Sequence, residues 1–272
     1  MYDPYILGDI VSGLIALGSL CPMCTVYYIL SAVAYFIFHK WSDYQPGFDV
    51  KAFGTFFIIL LIPAVTLGVN ISNRKSNQIA QAQSFVSQFN GLKSYGENSF
   101  ESPYKLHMAK ENFADAPIRV SIYSDFPCPY CQNIATQFEG IIEEFKDHIN
   151  VEYLFYPLDM TCNKEMKGSL HPYACQAAYL AACDTKQFAK IHDHIFANQK
   201  DINPKNLAKW EKDFGLNGCF KNADLQDIVQ QTLNAGKKYK LKSTPTMVIN
   251  GKKIEGGLST PMLRAILKSL IK

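Results

Sequence analysis

Between Ile10 and Phe38, and again between Ala52 and Asn73, the chain has no Asp, Glu, Lys or Arg. Stretches this long without charge are not the surface of a water-soluble domain, and nearly all the charge lies beyond Arg74. An excess of either sign is also missing: the formal net charge is +3 over 272 residues, which argues against a nucleic-acid partner. The start lacks a basic region followed by a small-residue cleavage site, so no cleavable signal peptide is expected, and any secretion would rely on the apolar segments themselves. Cysteine, by contrast, is not scarce. Eight are present, an even number that fits an oxidising compartment, because cytosolic thiols are kept reduced. The length allows one well-cored domain and something smaller beside it.

The smaller part comes first. Phe53–Val69 reads as a membrane helix, since about 20 apolar residues cross a bilayer core; Pro63 within it is tolerable at the cost of a kink. Ile10–Phe38 as one helix would measure roughly 44 Å, too long for a core of about 30 Å. Pro22, in Cys21-Pro22-Met23-Cys24, is a natural break, because proline suits a first helical turn and not a helix interior. The expected result is one helix ending near Leu20 and another from about Pro22 to Phe38. Only eleven residues separate Asp9 from Cys21, too few for a full span, so the first helix is expected to start part-way. Residues 74–112 are polar and read as a stalk, helical at first, with Asn90-Gly91 as its break.

From Pro117 the pattern is that of an α/β domain. Ile118–Tyr123 is β-branched and strand-like and runs into Asp125-Phe126-Pro127-Cys128-Pro129-Tyr130-Cys131. Ile134, Phe138, Ile141, Ile142 and Phe145 then recur at helical spacing. Val151–Tyr156 predicts a second strand, and residues 163–236 a mostly helical block opened by His171-Pro172. Thr246–Ile249 predicts a strand, Asn250-Gly251 a hairpin, Lys253-Ile254 its partner, and Thr260-Pro261 the start of a last helix.

Cys128-Pro-Tyr-Cys131 falls where a strand meets a helix N-terminus. Free N–H groups and the helix dipole favour an anion there, so Cys128 should be acidic and a good leaving group, which makes its disulfide oxidising. Zinc also uses this spacing, but it would want a second pair nearby, and the other pair lies in the apolar segment. Redox chemistry is the reading adopted, and no metal is expected.

Asp125–Cys131 after a strand, with Ser243-Thr244-Pro245-Thr246 before a strand ending in Asn250-Gly251, resembles the thioredoxin superfamily, and the helical insert makes it similar to the DsbA-like branch. The resemblance covers about residues 113–272. It implies a cis bond before Pro245 facing the redox pair, and a backbone beside Thr244 that pairs with the substrate chain. Cys21-Pro-Met-Cys24 at the head of a membrane helix resembles the active-site motif of the vitamin K epoxide reductase family. That resemblance implies that Cys24 meets a quinone and that Cys21 exchanges with a shuttle cysteine. The family carries a further cysteine pair upstream of the motif, which has no counterpart here, so the membrane bundle is expected to be incomplete.

Cys162, Cys175, Cys183 and Cys219 fall in the helical block. Cys175 and Cys183 lie eight apart on what reads as one helix, about 12 Å along its axis, too far for a bond. Two connectivities survive; Cys162–Cys175 with Cys183–Cys219 is favoured on short loop closure alone, as structural staples. His171, His192 and His194 are poorly spaced for a metal site with these thiols and read as helix-surface or core residues.

The expectation is thus an α-helical membrane segment (1–72, partial), a stalk (73–112) and a thioredoxin-like α/β domain with a helical insertion (113–272). Its expected role is oxidation of protein dithiols, with Cys128 and Cys131 passing electrons to Cys21 and Cys24 and on to a quinone, without metal or nucleotide. Its partners would be reduced secreted or periplasmic proteins, the quinone and membrane lipid. The expected place is a bacterial-type plasma membrane, with the α/β domain on the outer side. Two rivals stay open: a reductase or isomerase, and a metal-binding or holdase module using the cysteines as ligands.

Overall fold

The computed structural model describes residues 50–271 and, ahead of them, residues 30, 31, 33, 34, 37 and 40, all six helical; residues 50–67 are described by backbone alone. Cys21 and Cys24, and the helix break expected between them, lie outside the described residues. The chain divides after Asn70 into two units.

In the first unit, Leu30, Val33 and Ile37 are exposed apolar side chains. Helix α1 (Val50–Gly91) contains the uncharged run and continues through the Gln/Asn/Ser-rich stretch to Gly91, entering the second unit at Ile71. Among the residues described with their side chains, no helix is long and apolar enough to cross a membrane.

The second unit is built on a five-stranded mixed sheet in the order β1-β3-β2-β4-β5. Its strands are β1 (Lys105–Met108), β2 (Ile118–Ser124), β3 (Ile149–Phe155), β4 (Thr246–Ile249) and β5 (Lys252–Glu255). β2 and β3 are parallel, with Ile118 opposite Ile149 and Ser124 opposite Phe155; the other pairs are antiparallel. β1 lies in the stretch that reads as stalk. Its four half-buried residues KLHM give no strong alternation, and its place is set by pairing with β3 and by Tyr104, which is fully buried and receives the Tyr153 amide on its carbonyl.

Helix α2 (Pro129–Phe145) buries Ile134, Phe138, Ile141 and Phe145 on one stripe, as its spacing predicts. With Leu263, Ile266 and Leu267 of α7 (Thr260–Leu270), and Phe89 from the end of α1, this stripe covers Ile118, Val120, Ile122, Met247 and Ile249 on one face of the sheet. The helical block packs on the other face as α3 (Ala174–Ala182), α4 (Phe188–Ala197), α5 (Pro204–Asp213) and α6 (Ala223–Lys237). Its core includes Leu180, Phe188, Ile191, Leu207 and Val229 against Tyr104, Tyr123, Leu154 and Phe155. Burying each such side chain contributes about 1.5–3 kcal/mol. α3 begins at Ala174, three residues later than His171-Pro172 suggests; Tyr173 before it is left-handed, with φ at 65°, which breaks the helical path.

The β4–β5 hairpin turns at Asn250-Gly251, with φ values of 46° and 77°. That geometry suits asparagine and glycine. The Asn250 side chain accepts from the Arg119 amide at 2.8 Å and donates to the Pro117 carbonyl at 2.9 Å, so the turn is also tied to the start of β2.

A dithiol at a strand–helix junction

β2 ends at Ser124, and the chain passes through Asp125-Phe126-Pro127 to Cys128, the N-cap of α2. Proline at the first helical position fixes the turn without losing a needed N–H. The turn is held from outside by Gln199, whose side-chain amide donates to the carbonyls of Phe126 at 2.6 Å and Cys128 at 2.8 Å. Gln132 donates likewise to the Phe196 carbonyl at 2.6 Å, fixing the first turn of α2 against α4.

Cys128 and Cys131 are unbonded to other cysteines and both are buried. Their environments drive them apart. The Cys131 thiol beside Cys128 stabilises its thiolate, and together with the amides of Cys131 and Tyr130 at the helix start and the Thr244 side chain it outweighs burial. Cys128 falls from the ordinary 9.0 to about 5. Burial pushes Cys131 well above 9.0, and the bond to Cys128 and its charge add to the rise. Sequence reasoning names the acidic member of the pair from the helix N-terminus; the stabilisation by its own partner thiol is visible only in three dimensions.

Opposite the pair stands the bond Thr244–Pro245, which is cis. The Cys128 sulfur lies 3.5 Å from the Thr244 carbonyl oxygen, and both Thr244 and Pro245 are buried beside it. The expected substrate-pairing residues and the redox pair are therefore brought together, although 116 residues separate Cys128 from Thr244.

Two groups that sequence reasoning missed complete the site. The Asp125 carboxylate is fully buried, and its Oδ2 lies 2.5 Å from His171 Nδ1 and accepts the Leu158 amide at 3.3 Å. Burial raises Asp125 from 3.8 to about 6 against the pull of His171, while the bond to Asp125 raises His171. His171 is thus neither a bare surface residue nor a core one. An aspartate three residues before the first cysteine was the available signal, but its partner 46 residues on had none. His192 sits buried in a cage of Phe126, Tyr153, Phe188 and Phe196 with Nδ1 2.8 Å from Asp193, and His194 packs edge-on to Trp210 and Phe214.

The four other cysteines among the described residues are joined as Cys162–Cys175 and Cys183–Cys219, away from the dithiol. Among the described residues no cluster of three or more His, Cys, Asp or Glu side chains could hold a metal ion.

The family described as Thioredoxin matches residues 113–269, more than half of the chain and the whole of this site. The chain belongs to the thioredoxin family. Among curated proteins, the chain is similar to part of "Na(+)/H(+) antiporter NhaA 3" of Salinispora tropica, 29% identical over 163 residues, which cover 57% of this chain and 23% of that one. "Na(+)/H(+) antiporter NhaA 1" of Salinispora arenicola is similar at 28% over 162 residues, with the same two coverages. The chain thus spans less than a quarter of the length of these relatives. Among solved structures, the catalytic domain of Proteus mirabilis ScsC matches with a TM-score of 0.50 and 21% identity, over 70% of this chain and 99% of that one. BdbD from Bacillus subtilis matches at a TM-score of 0.47 and 21% identity, over 66% and 98%. The likeness to the ScsC catalytic domain concerns the fold alone.

Proposed function

We propose that the chain is a thiol–disulfide oxidoreductase that oxidises dithiols of proteins outside a membrane to which it is anchored. The observation that carries this reading is the split of one cysteine pair into an acidic Cys128 and a strongly basic, buried Cys131, next to the Thr244–Pro245 backbone. A substrate thiolate attacks the Cys128 sulfur of the Cys128–Cys131 disulfide; that bond breaks, and its electron pair goes to Cys131. The second substrate thiol then attacks the substrate sulfur of the mixed disulfide, and Cys128 leaves as a thiolate. Because that thiolate is stable at neutral pH, electrons flow from substrate to this pair. The Thr244 backbone, in the resemblance to DsbA-like proteins, pairs with the substrate chain and brings its sulfur in line.

The anchor is the uncharged first part of α1, Phe53–Val69, together with the apolar segment before it; exposed Leu30, Val33 and Ile37 support lipid contact. Electrons would leave the dithiol toward Cys21 and Cys24, and through them to a quinone, which is the role carried by the vitamin K epoxide reductase resemblance. Both redox motifs would then face the same, outer side, with the Lys40–Lys51 segment inside.

The test of the dithiol chemistry is trapping. Cys131→Ala should accumulate substrate proteins in mixed disulfides on Cys128, released by reductant; adducts on Cys131 in Cys128→Ala, and none in Cys131→Ala, would reverse the roles. A reduction potential near the −270 mV of thioredoxin would instead favour a reductase. The quinone link is tested by turnover. The purified chain is incubated with a reduced substrate protein and quinone, and the disulfides made per molecule are counted. Sustained turnover that Cys21→Ser or Cys24→Ser abolishes would show a self-sufficient membrane part.

A further inference from the structure

In the redox turn Asp125-Phe126-Pro127-Cys128-Pro129, a proline follows both Phe126 and Cys128. The peptide units Phe126–Pro127 and Cys128–Pro129 therefore carry no N–H, and hydrogen bonding can hold each of them only through its carbonyl. The unit between them does have an N–H, which the Cys128 amide donates to the Asp125 carbonyl at 3.1 Å. The course of the backbone on either side of Cys128 thus depends on what reaches two carbonyl oxygens.

Gln199 reaches both. Its Nε2 donates to the Phe126 carbonyl at 2.6 Å and to the Cys128 carbonyl at 2.8 Å. Carbonyl oxygens only accept, so the side-chain amide must turn its two N–H donors toward the redox turn. The Cys128 carbonyl also takes the amides of Cys131 at 3.0 Å and Gln132 at 3.2 Å, as the first acceptor of α2. The Phe126 carbonyl has no second donor among the described residues, and Phe126 is 1% exposed. Leaving a buried carbonyl without a partner costs more than the bond itself is worth, so without Gln199 this unit would turn toward another donor or toward water.

These two bonds are part of a seam between the redox turn and the helical insertion. Gln199 lies in the short helical turn Gln199–Asp201 that follows α4. At the end of α4, the Phe196 carbonyl accepts from the Gln132 side chain at 2.6 Å, and the Phe196 ring lies 4.9 Å from that of Phe126. The insertion thus grips the turn at the Phe126 ring, at the Phe126 and Cys128 carbonyls, and at the first turn of α2. What the grip fixes is the direction of the N–H groups of Tyr130 and Cys131, which follow the Cys128–Pro129 unit and stabilise the Cys128 thiolate. Gln199 acts on those groups through the backbone.

We propose that Gln199 is the positioning residue through which the helical insertion aims the thiolate-stabilising N–H groups at Cys128 and so sets the oxidising strength of the pair. This rests on the redox reading above. When Cys128 leaves the mixed disulfide as a thiolate, N–H groups already fixed in place stabilise the charge without rearranging. A turn released at Phe126 and Cys128 would present them less well; the thiolate would be less stable and the disulfide a weaker oxidant. A purely structural tie would affect folding stability and leave the titration of Cys128 unmoved. The other titratable groups around Cys128 are Cys131 on α2, Asp125 on the turn, Tyr153 on β3 and His171 on the loop after β3, while His192 of α4 packs against Phe126. Lys200 and Asp201, next to Gln199, are both exposed. Substitution of Gln199 leaves all of these side chains in the protein.

The experiment titrates Cys128 in the full reduced chain, by the ultraviolet absorbance of its thiolate against pH, and measures the equilibrium of the pair with reduced and oxidised glutathione at neutral pH. Gln199→Met nearly keeps the length and bulk of the side chain and removes its donors. It should raise the Cys128 pKa by about one unit and lower the equilibrium constant for reducing the disulfide about tenfold, a potential about 30 mV more negative. Gln199→Glu has the same shape, no donors and an added negative charge, and should move both readings further in the same direction. Gln199→Lys offers three donors from its ammonium and should hold the turn, keeping Cys128 at or below its wild-type value. Thermal unfolding reports any loss of fold, and two variants without donors keep the test open where one of them does not fold. Wild-type titration and potential in Gln199→Met or Gln199→Glu would overturn the proposal and leave Gln199 a structural tie, as would a rise in Gln199→Lys equal to that in Gln199→Met. A wild-type Cys128 that titrates near the ordinary 9.0 would instead remove the redox reading itself, and this proposal with it.

Discussion

The acidity of Cys128 should appear as a pH-dependent stability of the reduced chain. Its thiol falls from 9.0 to about 5 on folding. A group whose folded pKa is depressed stabilises the fold at pH above its unfolded value, and that contribution is lost as the pH falls through the folded value. At pH 7 the reduced fold therefore keeps the part gained between pH 5 and 7, about 1.4 kcal/mol per pH unit or about 3 kcal/mol in all. The perturbation is Cys128→Ser, which keeps the volume near constant and removes the ionisation. Urea unfolding of the two reduced proteins, followed by circular dichroism, gives their stability difference at each pH. Asp125 titrates in the same window with the opposite sign, because its raised value makes its ionisation a penalty above pH 6 that disappears below 3.8; it is present in both proteins and cancels to first order. The expected result is that the wild type gains about 3 kcal/mol over Cys128→Ser between pH 4 and pH 7. A difference that stays within about 0.5 kcal/mol across that range would refute the reasoning, since it would mean that folding does not stabilise the thiolate.

Three further outcomes follow from the packing. Replacing both Cys162 and Cys175 by Ala opens a loop of 13 residues and should cost about 3 kcal/mol in denaturant unfolding, and it should also weaken the His171 contact, visible as a shift of the His171 ring resonances. Glu152, fully buried on β3, accepts from the Ser121 hydroxyl at 2.6 Å, the Ser102 amide at 3.0 Å and Lys105 at 3.3 Å; Glu152→Ala should cost about 2–4 kcal/mol, with Glu152→Gln milder, read as unfolding midpoints. Gly251→Ala adds a Cβ 3.1 Å from the Gly96 backbone at a φ of +77°, and should lower stability by about 2 kcal/mol or more, measured by thermal unfolding.

Much of the second unit was legible because its signals are local. β2 is a β-branched run, α2 shows its apolar stripe at helical spacing, and Asn250-Gly251 marks a hairpin by the backbone angles it permits. The redox turn was legible for the same reason: two cysteines at a strand–helix junction need no distant information. What could not be read was set by contacts far apart in the chain. β1 has four half-buried residues with no period, and only pairing with β3 makes it a strand. His171 looks like the opening of a helix, but the left-handed Tyr173 delays that helix and leaves the ring facing Asp125. Gln199 holds the redox turn across 71 residues from Cys128, with nothing in its neighbourhood to announce it. Cys21 and Cys24 lie outside the described residues, and their redox role is a proposal.

The central claim is that this chain takes electrons from protein dithiols through Cys128 and Cys131. Its most direct test is to incubate the oxidised chain with a reduced, unfolded protein containing two cysteines, without glutathione or other oxidant, and to count free thiols on both partners. The account predicts that one substrate disulfide appears for each Cys128–Cys131 disulfide consumed at pH 7, and that none appears with Cys128→Ser. Substrate thiols that remain free while the Cys128–Cys131 disulfide stays intact would contradict it.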